Sequence, residues 1–161
     1  MLKKHLTNIW KDLIKNPDIK DGERYEDIVC NDYFPASHYD LIHRTHDVNT
    51  NSIRFIESSK WPDLWFRIKG TKTEFRIECK MRNNYTDSNL INICTDDQLQ
   101  RYKTFPNTFI MLYAYSDNGY DDYLIPVKEM RFKGMYLNQL HPYLIKYDPP
   151  IFPGLITKYI N

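Results

Sequence analysis

Residues 61–82 read W-P-D-L-W-F-R-I-K-G-T-K-T-E-F-R-I-E-C-K-M-R, and this stretch decides the fold of the chain. Apolar and polar residues alternate on both sides of Gly70-Thr71, and a period of two is typical of strands with one buried face. A Gly-X pair between two such runs predicts a hairpin, because Gly supplies the positive φ of a type II′ turn. The two runs are therefore expected to pair as antiparallel strands.

The turn also determines which residues face each other. A two-residue loop at Gly70-Thr71, or a four-residue loop around it, gives the same register. Counting back from either loop places Asp63 opposite Glu78, with Lys80 two residues farther along on the face of Glu78. Opposed side chains in such a pair have Cβ atoms roughly 4.5–5.5 Å apart. We therefore expect the two carboxylates to converge, with the Lys80 ammonium beside them.

Two facing carboxylates repel each other unless a positive charge lies between them. Either the Lys80 ammonium or a divalent cation could supply that charge, and a few oxygen ligands next to space for water suit Mg²⁺. A metal there would activate water and stabilise negative charge on a phosphate. Without metal, neutralising Asp63 or Glu78 is expected to leave the melting temperature unchanged or to raise it. The alternative is a surface strand whose alternating charges are solvated.

Pro62-Asp63 followed by Glu78-Cys79-Lys80 resembles the PD-(D/E)XK motif of a nuclease superfamily. That superfamily includes restriction endonucleases, Holliday-junction resolvases and recombination exonucleases, and the resemblance covers roughly residues 22–127. It implies a restriction-endonuclease-like α/β fold, in which helices flank a mixed β-sheet within a single domain. It also implies that Asp63, Glu78 and the backbone carbonyl of Cys79 bind Mg²⁺, for which Mn²⁺ can substitute. Lys80 would orient or deprotonate the attacking water, or stabilise the phosphorane.

A helix is predicted over residues 23–32, before the sheet, with its buried stripe formed by Tyr25, Ile28 and Val29. Glu26 lies at the edge of this stripe, whereas Asp27 points to water. In the resembled superfamily, a Glu on the helix before the sheet often supplies an additional metal ligand. Glu26 matches that place best, with Glu23 as the reserve. A solvated glutamate on the flank of the helix is the alternative.

A second helix is predicted after the hairpin, over residues 96–103. Thr95 and Gln98 have the spacing of a capping box, which satisfies backbone groups at a helix start. Gln98 and Tyr102 also project from one face of the helix. Their spacing resembles the Q-x-x-x-Y element that follows the catalytic hairpin in recombination-exonuclease-like members, where both residues help to position the site or the nucleic-acid backbone. Capping and site support are compatible roles for Gln98, and both stay open.

Three further strands are predicted, over residues 39–48, 108–115 and 122–127. The second is a nearly continuous apolar run, which indicates a central strand buried on both faces. The third contains Pro126 and is expected at an edge of the sheet. Within the first, Arg44 and His46 are candidate phosphate contacts or ordinary strand residues.

Outside the core, an amphipathic helix is predicted over residues 2–15 and a C-terminal extension over residues 128–161. Within the extension, residues 136–146 are expected to form a helix despite Pro142. The proline-rich tail, residues 148–161, is expected to be irregular.

The composition limits the classes of protein to which the chain can belong. A length of 161 residues suits a single domain with one core. The net charge of +1 gives no global basic signature, so affinity for nucleic acid must come from a local patch. The hairpin region supplies such a patch: Lys60, Arg67, Lys69, Lys72, Arg76, Lys80 and Arg82.

The cellular location is inferred from the cysteines and from the apolar runs. Three cysteines without close pairing favour reduced thiols in the cytoplasm. The first residues lack the apolar region of a signal peptide, and no run approaches the roughly 20 apolar residues of a membrane span.

These patterns together predict a Mg²⁺-dependent phosphodiesterase that acts on nucleic acid, with DNA as the favoured substrate. One short domain offers little surface for grasping a duplex, so a homodimer or a partner protein is expected to supply more. A domain that binds nucleic acid or serves as a scaffold without cutting is the first alternative. A purely structural α/β domain with solvated hairpin charges is the second.

Overall fold

The structure, a computed structural model, describes residues 19–45, 60–82, 89–116 and 119–160. The helix predicted over residues 2–15 lies outside these ranges, as does His46. Within the described residues, no helix is long and apolar enough to cross a membrane.

The described residues form a mixed α/β structure. Its strands are β1 (Tyr39–Arg44), β2 (Leu64–Ile68), β3 (Glu74–Arg82), β4 (Leu90–Asn92), β5 (Thr108–Ser116), β6 (Gly119–Pro126) and β7 (Gly134–Tyr136). Its helices are α1 (Ile19–Ile28), α2 (Asp96–Lys103), α3 (Leu137–Leu140) and α4 (Pro153–Thr157). A π-helical turn, Val29–Tyr33, continues α1, and short 3₁₀ turns cover Val127–Glu129 and His141–Tyr143.

Five strands form one mixed sheet in the order β1-β2-β3-β5-β6. All neighbours are antiparallel except β3 and β5, which are parallel and are joined by a connection that contains α2. The buried central strand predicted over residues 108–115 is confirmed, and among the described strands the one that ends in Pro126 lies at an edge of this sheet, as predicted. A second, two-stranded sheet pairs β4 with β7. Strands of three residues are too short to show alternation, so the sequence did not predict them.

The hairpin has the register predicted from its turn. Leu64 pairs with Ile77 and Phe66 with Phe75, which is the register from which Asp63 was predicted to lie opposite Glu78. The Ile68 N–H donates to the Thr73 carbonyl at 2.9 Å, and the loop inside this hydrogen bond has four residues, 69–72. Lys69 and Gly70 are the central residues of a turn that is closed by a hydrogen bond from the Thr71 N–H to the Ile68 carbonyl, at 3.0 Å. Gly70 has a φ of 76°. The positive φ at Gly70 was predicted, but its place as the third residue of this turn differs from a type II′ arrangement.

Hydrophobic clusters lie on both faces of the sheet, because alternate residues of β5 belong to different clusters. Phe109, Met111 and Tyr113 pack with the inner residues of β2 and β3 and with α1 and α4. Ile110 and Leu112 pack instead with α2 and α3. Glu78 pairs with Ile110 across β3 and β5, so its side chain points to the α2 face of the sheet.

Helix α1 is fixed to the far edge of the sheet by a buried carboxylate. The hydroxyl groups of Tyr25 and Tyr33 donate hydrogen bonds to Asp122 on β6, at 3.0 and 2.6 Å. Buried polar groups are costly unless they are paired, so this arrangement favours one placement of the helix. It thereby positions the residues between the two tyrosines, Glu26 and Asp27 among them.

The C-terminal extension differs from its prediction. The helix expected over residues 136–146 ends at Leu140, and a 3₁₀ turn containing Pro142 follows, because proline cannot donate the backbone hydrogen bond that a continuing helix needs. Leu144 then forms a bridge with Tyr123. The tail is also not wholly irregular, since α4 forms and both Ile151 and Ile156 are fully buried.

Candidate active site

Asp63 is held in place from two sides. The Thr45 N–H donates to the backbone carbonyl of Asp63 at 2.9 Å, and the Thr45 hydroxyl donates to the carbonyl of Pro62 at 2.7 Å. On the other side, the Cys79 N–H donates to Oδ2 of Asp63 at 2.8 Å. The end of β1 therefore fixes the backbone of the Pro-Asp pair, and β3 fixes the carboxylate.

Glu78 is held on the α2 face of the sheet by two donors. Its Oε1 lies 2.6 Å from Nζ of Lys80, two residues along β3, and 2.6 Å from the hydroxyl of Tyr102 on α2. The Glu78 residue is only 5% exposed. Burial and the adjacent Glu78 charge raise the pKa of Tyr102, so its hydroxyl stays protonated and donates. The structure thus joins the predicted catalytic lysine, the acid of the motif and the tyrosine of the Q-x-x-x-Y element.

Glu26 occupies the rim position that the helical pattern predicted, and Asp27 is exposed. Both carboxylates bind Arg44 of β1: Glu26 at 3.2 Å and Asp27 at 2.7 Å. Arg44 was considered as a phosphate contact, but its guanidinium is occupied by these acids of α1. The pairing joins residues far apart along the chain, so no local sequence pattern indicated it.

Asp63 lies close enough to Glu78 and Glu26 for their negative charges to affect its pKa. Burial raises the pKa of Asp63 well above its ordinary value, and repulsion from Glu78 and Glu26 raises it further. The Cys79 N–H and the Lys80 ammonium act in the opposite direction and do not cancel these effects. Lys80 contacts Glu78 directly, so Asp63 is the carboxylate whose ionised form has the less favourable surroundings.

The structure places Gln98 at the start of α2, where its Oε1 accepts a hydrogen bond from the Thr95 N–H at 3.0 Å. The Thr95 hydroxyl accepts in return from the Gln98 N–H at 3.1 Å, which completes the predicted capping box. The described contacts of the Gln98 side chain are therefore those of a cap, and it is Tyr102 that reaches Glu78.

The hairpin cations predicted to form one basic patch are partly used within the fold. Arg67 binds Glu74 at 2.6 Å, and the guanidinium of Arg76 stacks 4.4 Å from the ring of Trp65. The guanidinium of Arg82 donates to the backbone carbonyls of Asn92 and Ile93. The patch therefore offers less unpaired positive charge than the sequence suggested.

The donor set suits a hard divalent cation that keeps part of its water shell. In the part of the chain that the structure describes, no group of three or more His, Cys, Asp or Glu side chains is arranged to hold a metal ion. Mg²⁺, however, is commonly bound by one or two carboxylates with water completing the shell. Asp63 and Glu78 supply two carboxylates, which the Cys79 N–H and the Tyr102 hydroxyl hold in place. The residues present therefore fit Mg²⁺ or Mn²⁺.

No protein-family model, curated protein or solved structure matches this chain. The function is therefore inferred from the geometry and chemistry of the site.

Proposed function

We propose that the chain is a Mg²⁺-dependent phosphodiesterase that cleaves nucleic acid, with DNA as the favoured substrate, and that it is a PD-(D/E)XK-type nuclease. The observation that carries the proposal is the contact set of Asp63, Glu78 and Lys80 at the end of the hairpin. Asp63 binds the backbone of β3 between the other two residues, and Lys80 lies 2.6 Å from Glu78. A structural hairpin has no need for two buried acids at this point.

The order of elements also supports a restriction-endonuclease-like arrangement. A helix precedes three antiparallel strands, and a helix-containing connection then leads to a strand parallel to the third.

The three cysteines are free thiols, which suits the reducing cytoplasm in which we place the protein.

Each residue of the site has a role in this proposal. Asp63, Glu78 and the backbone carbonyl of Cys79 would hold the metal, whose chemistry is to activate water and offset charge on phosphate. Lys80 places a positive charge beside Glu78, where it stabilises negative charge that develops on the phosphate or orients the attacking water. Tyr102 fixes the carboxylate of Glu78 through its 2.6 Å hydrogen bond. Glu26 lies near enough to Asp63 to act on its pKa, and it would support a second metal.

One observation favours a second candidate, a domain of the same fold that binds nucleic acid without cutting it. Lys80 already neutralises Glu78 at 2.6 Å, as it would in a site that has no need of a metal. The two candidates differ in one measurable property, which is metal-dependent cleavage.

The proposal is tested by incubating the protein with single-stranded, duplex and branched DNA and with RNA, in Mg²⁺ or in EDTA. Cleavage in Mg²⁺ that stops in EDTA is the expected result. Retention of the labelled substrate without cleavage in any metal would assign the chain to the non-cleaving class. If the substrates are neither retained nor cleaved, the chain would be assigned to the structural class.

Glu26→Gln is expected to reduce cleavage clearly more than Asp27→Asn. Both acids bind Arg44, so each change removes one of its ion pairs, but only Glu26 is assigned to the proposed metal site. Asp27→Asn is thus the matched control for loss of an Arg44 contact. The readout is the cleavage rate across a Mg²⁺ titration, in which Glu26→Gln should need more metal. Equal rates for the two variants would reduce Glu26 to a helix-flank residue that binds Arg44.

A further inference from the structure

The segment Arg131–Lys133 places a large apolar side chain in water between two cations. Phe132 is 75% exposed, the largest value among the exposed large apolar residues that the structure describes. Arg131 and Lys133 on either side are exposed as well. Single exposed apolar residues are common on protein surfaces, so exposure alone carries no conclusion. A binding role for this segment is inferred from its position in the fold.

The segment is held by the backbone next to it. The N–H groups of Ile93 and Cys94 both donate to the carbonyl of Lys133, at 2.9 and 3.2 Å. The following residue, Gly134, begins β7 and lies so close to β4 that a Cβ there would be 2.9 Å from the carbonyl oxygen of Ile91. Phe132 is therefore presented by a fixed frame rather than by a long loop.

The same frame is joined to the end of β3, which carries the candidate active site. Arg82 of β3 donates to the carbonyls of Asn92 and Ile93, and Ile93 is one of the two residues that hold Lys133. The thiol of Cys94 has a pKa raised by burial, and the charges of Lys80, Arg82 and Glu78 also act on it. Cys94 is hydrogen bonded to Lys133 and directly follows Ile93, whose carbonyl accepts from Arg82 of β3.

We infer that the Arg131–Lys133 segment binds an unpaired stretch of nucleic acid beside the cleaved bond. Phe132 stacks on an unstacked base, and Arg131 and Lys133 contact the flanking phosphates. This combination of an aromatic platform and cations is the one by which proteins bind single strands without reading sequence. A continuous duplex hides the faces of its bases, so the inference assigns the proposed nuclease to single-stranded, frayed or branched substrates.

The local charges permit this contact. Lys133 lies 3.2 Å from Asp96, and both side chains are largely exposed, at 48% and 74%. An exposed pair of this kind contributes little to stability, so Lys133 can exchange Asp96 for a phosphate at small cost. Arg131 adds a second cation on the other side of Phe132.

The test measures binding in EDTA, where the proposed metal-dependent cleavage does not run. Binding is measured by fluorescence anisotropy with two probes, a short fluorescein-labelled single strand and the blunt duplex of the same sequence. Phe132→Ala is expected to weaken binding of the single strand by about fivefold or more, since stacking on one aromatic side chain is worth about 1–3 kcal/mol per base. Phe132→Tyr keeps an aromatic ring and should bind like the wild type. Phe152→Ala removes another exposed phenylalanine, at 57% exposure, and is the matched control.

The salt dependence separates the cations from the ring. Arg131→Ala and Lys133→Ala should each reduce the slope of log affinity against log salt by about 0.7, whereas Phe132→Ala should leave the slope unchanged. Base contact is read independently by placing 2-aminopurine in the single strand, because stacking on Phe132 should quench its emission and Phe132→Ala should restore it.

The outcomes distinguish this inference from the proposed nuclease activity. Binding that depends on Phe132 without any cleavage in Mg²⁺ would support single-strand binding by the Arg131–Lys133 segment and overturn the nuclease. If the protein cleaves nucleic acid but Phe132→Ala and Phe152→Ala bind the single strand equally well, the nuclease would be supported and the inference overturned. Tighter binding of the blunt duplex than of the single strand, or binding of anionic lipid vesicles in place of nucleic acid, would overturn the inference.

Discussion

Lys80→Ala is expected to lower the rate of metal-dependent cleavage by about 10²–10³-fold, the usual effect of removing one preorganised group that stabilises transition-state charge. The Lys80 ammonium lies 2.6 Å from Glu78 and 5.8 Å from the centre of the Tyr102 ring, so packing and charge both hold it in place. Alanine removes the positive charge and leaves the buried Glu78 carboxylate with fewer partners. A loss of stability is therefore expected as well, and it must be separated from a loss of chemistry.

The separation uses a second substitution and a surface control. In Lys80→Ala with Glu78→Gln, the unpaired charge is gone, so the fold should recover while activity should stay as low as in the single variant. Residues that act as one unit give such non-additive losses. Lys69→Ala removes another cation of the same hairpin, one whose side chain is 50% exposed, and should cut normally. Ordinary rates in a folded Lys80→Ala would refute the role assigned to Lys80.

Asp63→Asn and Glu78→Gln are expected to have opposite effects on stability in EDTA. The sequence treated the two acids as equivalent, but their contacts differ. Asp63→Asn should raise the melting temperature, because it removes a buried charge while the new amide oxygen can still accept the Cys79 N–H. Glu78→Gln should lower the free energy of unfolding by about 3 kcal/mol, the typical cost of breaking a buried ion pair by removing one partner. Lys80 is that partner.

The pH dependence gives a check on the stabilising effect of Asp63→Asn. A carboxyl whose folded-state pKa is raised contributes stability that is fully present below its ordinary value of 3.8 and is lost as the pH rises through the folded-state value. The wild type should therefore match Asp63→Asn in acid and fall below it as the pH approaches neutrality. Thermal unfolding of both proteins across this range makes the measurement. A gap that stays constant with pH would mean that Asp63 is not the titrating group.

Adding Mg²⁺ should reverse the order of Asp63→Asn and the wild type. A metal that binds only the folded state at 100 times its dissociation constant adds about 2.7 kcal/mol, or roughly 5–10 °C for a chain of this size. The wild type should gain this stability, and either neutral variant should gain much less because it lacks an anionic ligand. Glu74→Gln, which changes an acid of the same strand that binds Arg67, is the control. Equal responses of all four proteins to Mg²⁺ would rule out a metal bound by Asp63 and Glu78.

Local sequence patterns predicted those parts of the structure that depend on near neighbours. Alternation and the turn at Gly70 determined the hairpin register, since a slip of one residue would expose its whole apolar face. The capping box set the start of α2, because both of its hydrogen bonds join Thr95 to Gln98. Helical spacing, which also depends only on near neighbours, placed Glu26 at the rim of the core and Asp27 in water.

Contacts between distant segments decided the electrostatics of the site. The Cys79 N–H that Asp63 accepts and the Arg44 guanidinium that binds Glu26 come from other segments, so both contacts depend on how β1, β2, β3 and α1 pack. The two acids of the motif therefore look alike in sequence and differ in the folded protein.

The same limit explains what the sequence did not predict in the second half of the chain. Strands β4 and β7 have three residues each, and each is a strand only because the other lies beside it. Next to this pairing, Ile93 binds both Lys133 and Arg82, so the neighbour of Phe132 is joined to the end of β3 although more than forty residues of chain separate Phe132 from Arg82. Short-range patterns follow from backbone geometry, which acts over a few residues. The surroundings of a buried charge or an exposed ring are set by whichever segments the hydrophobic core brings together.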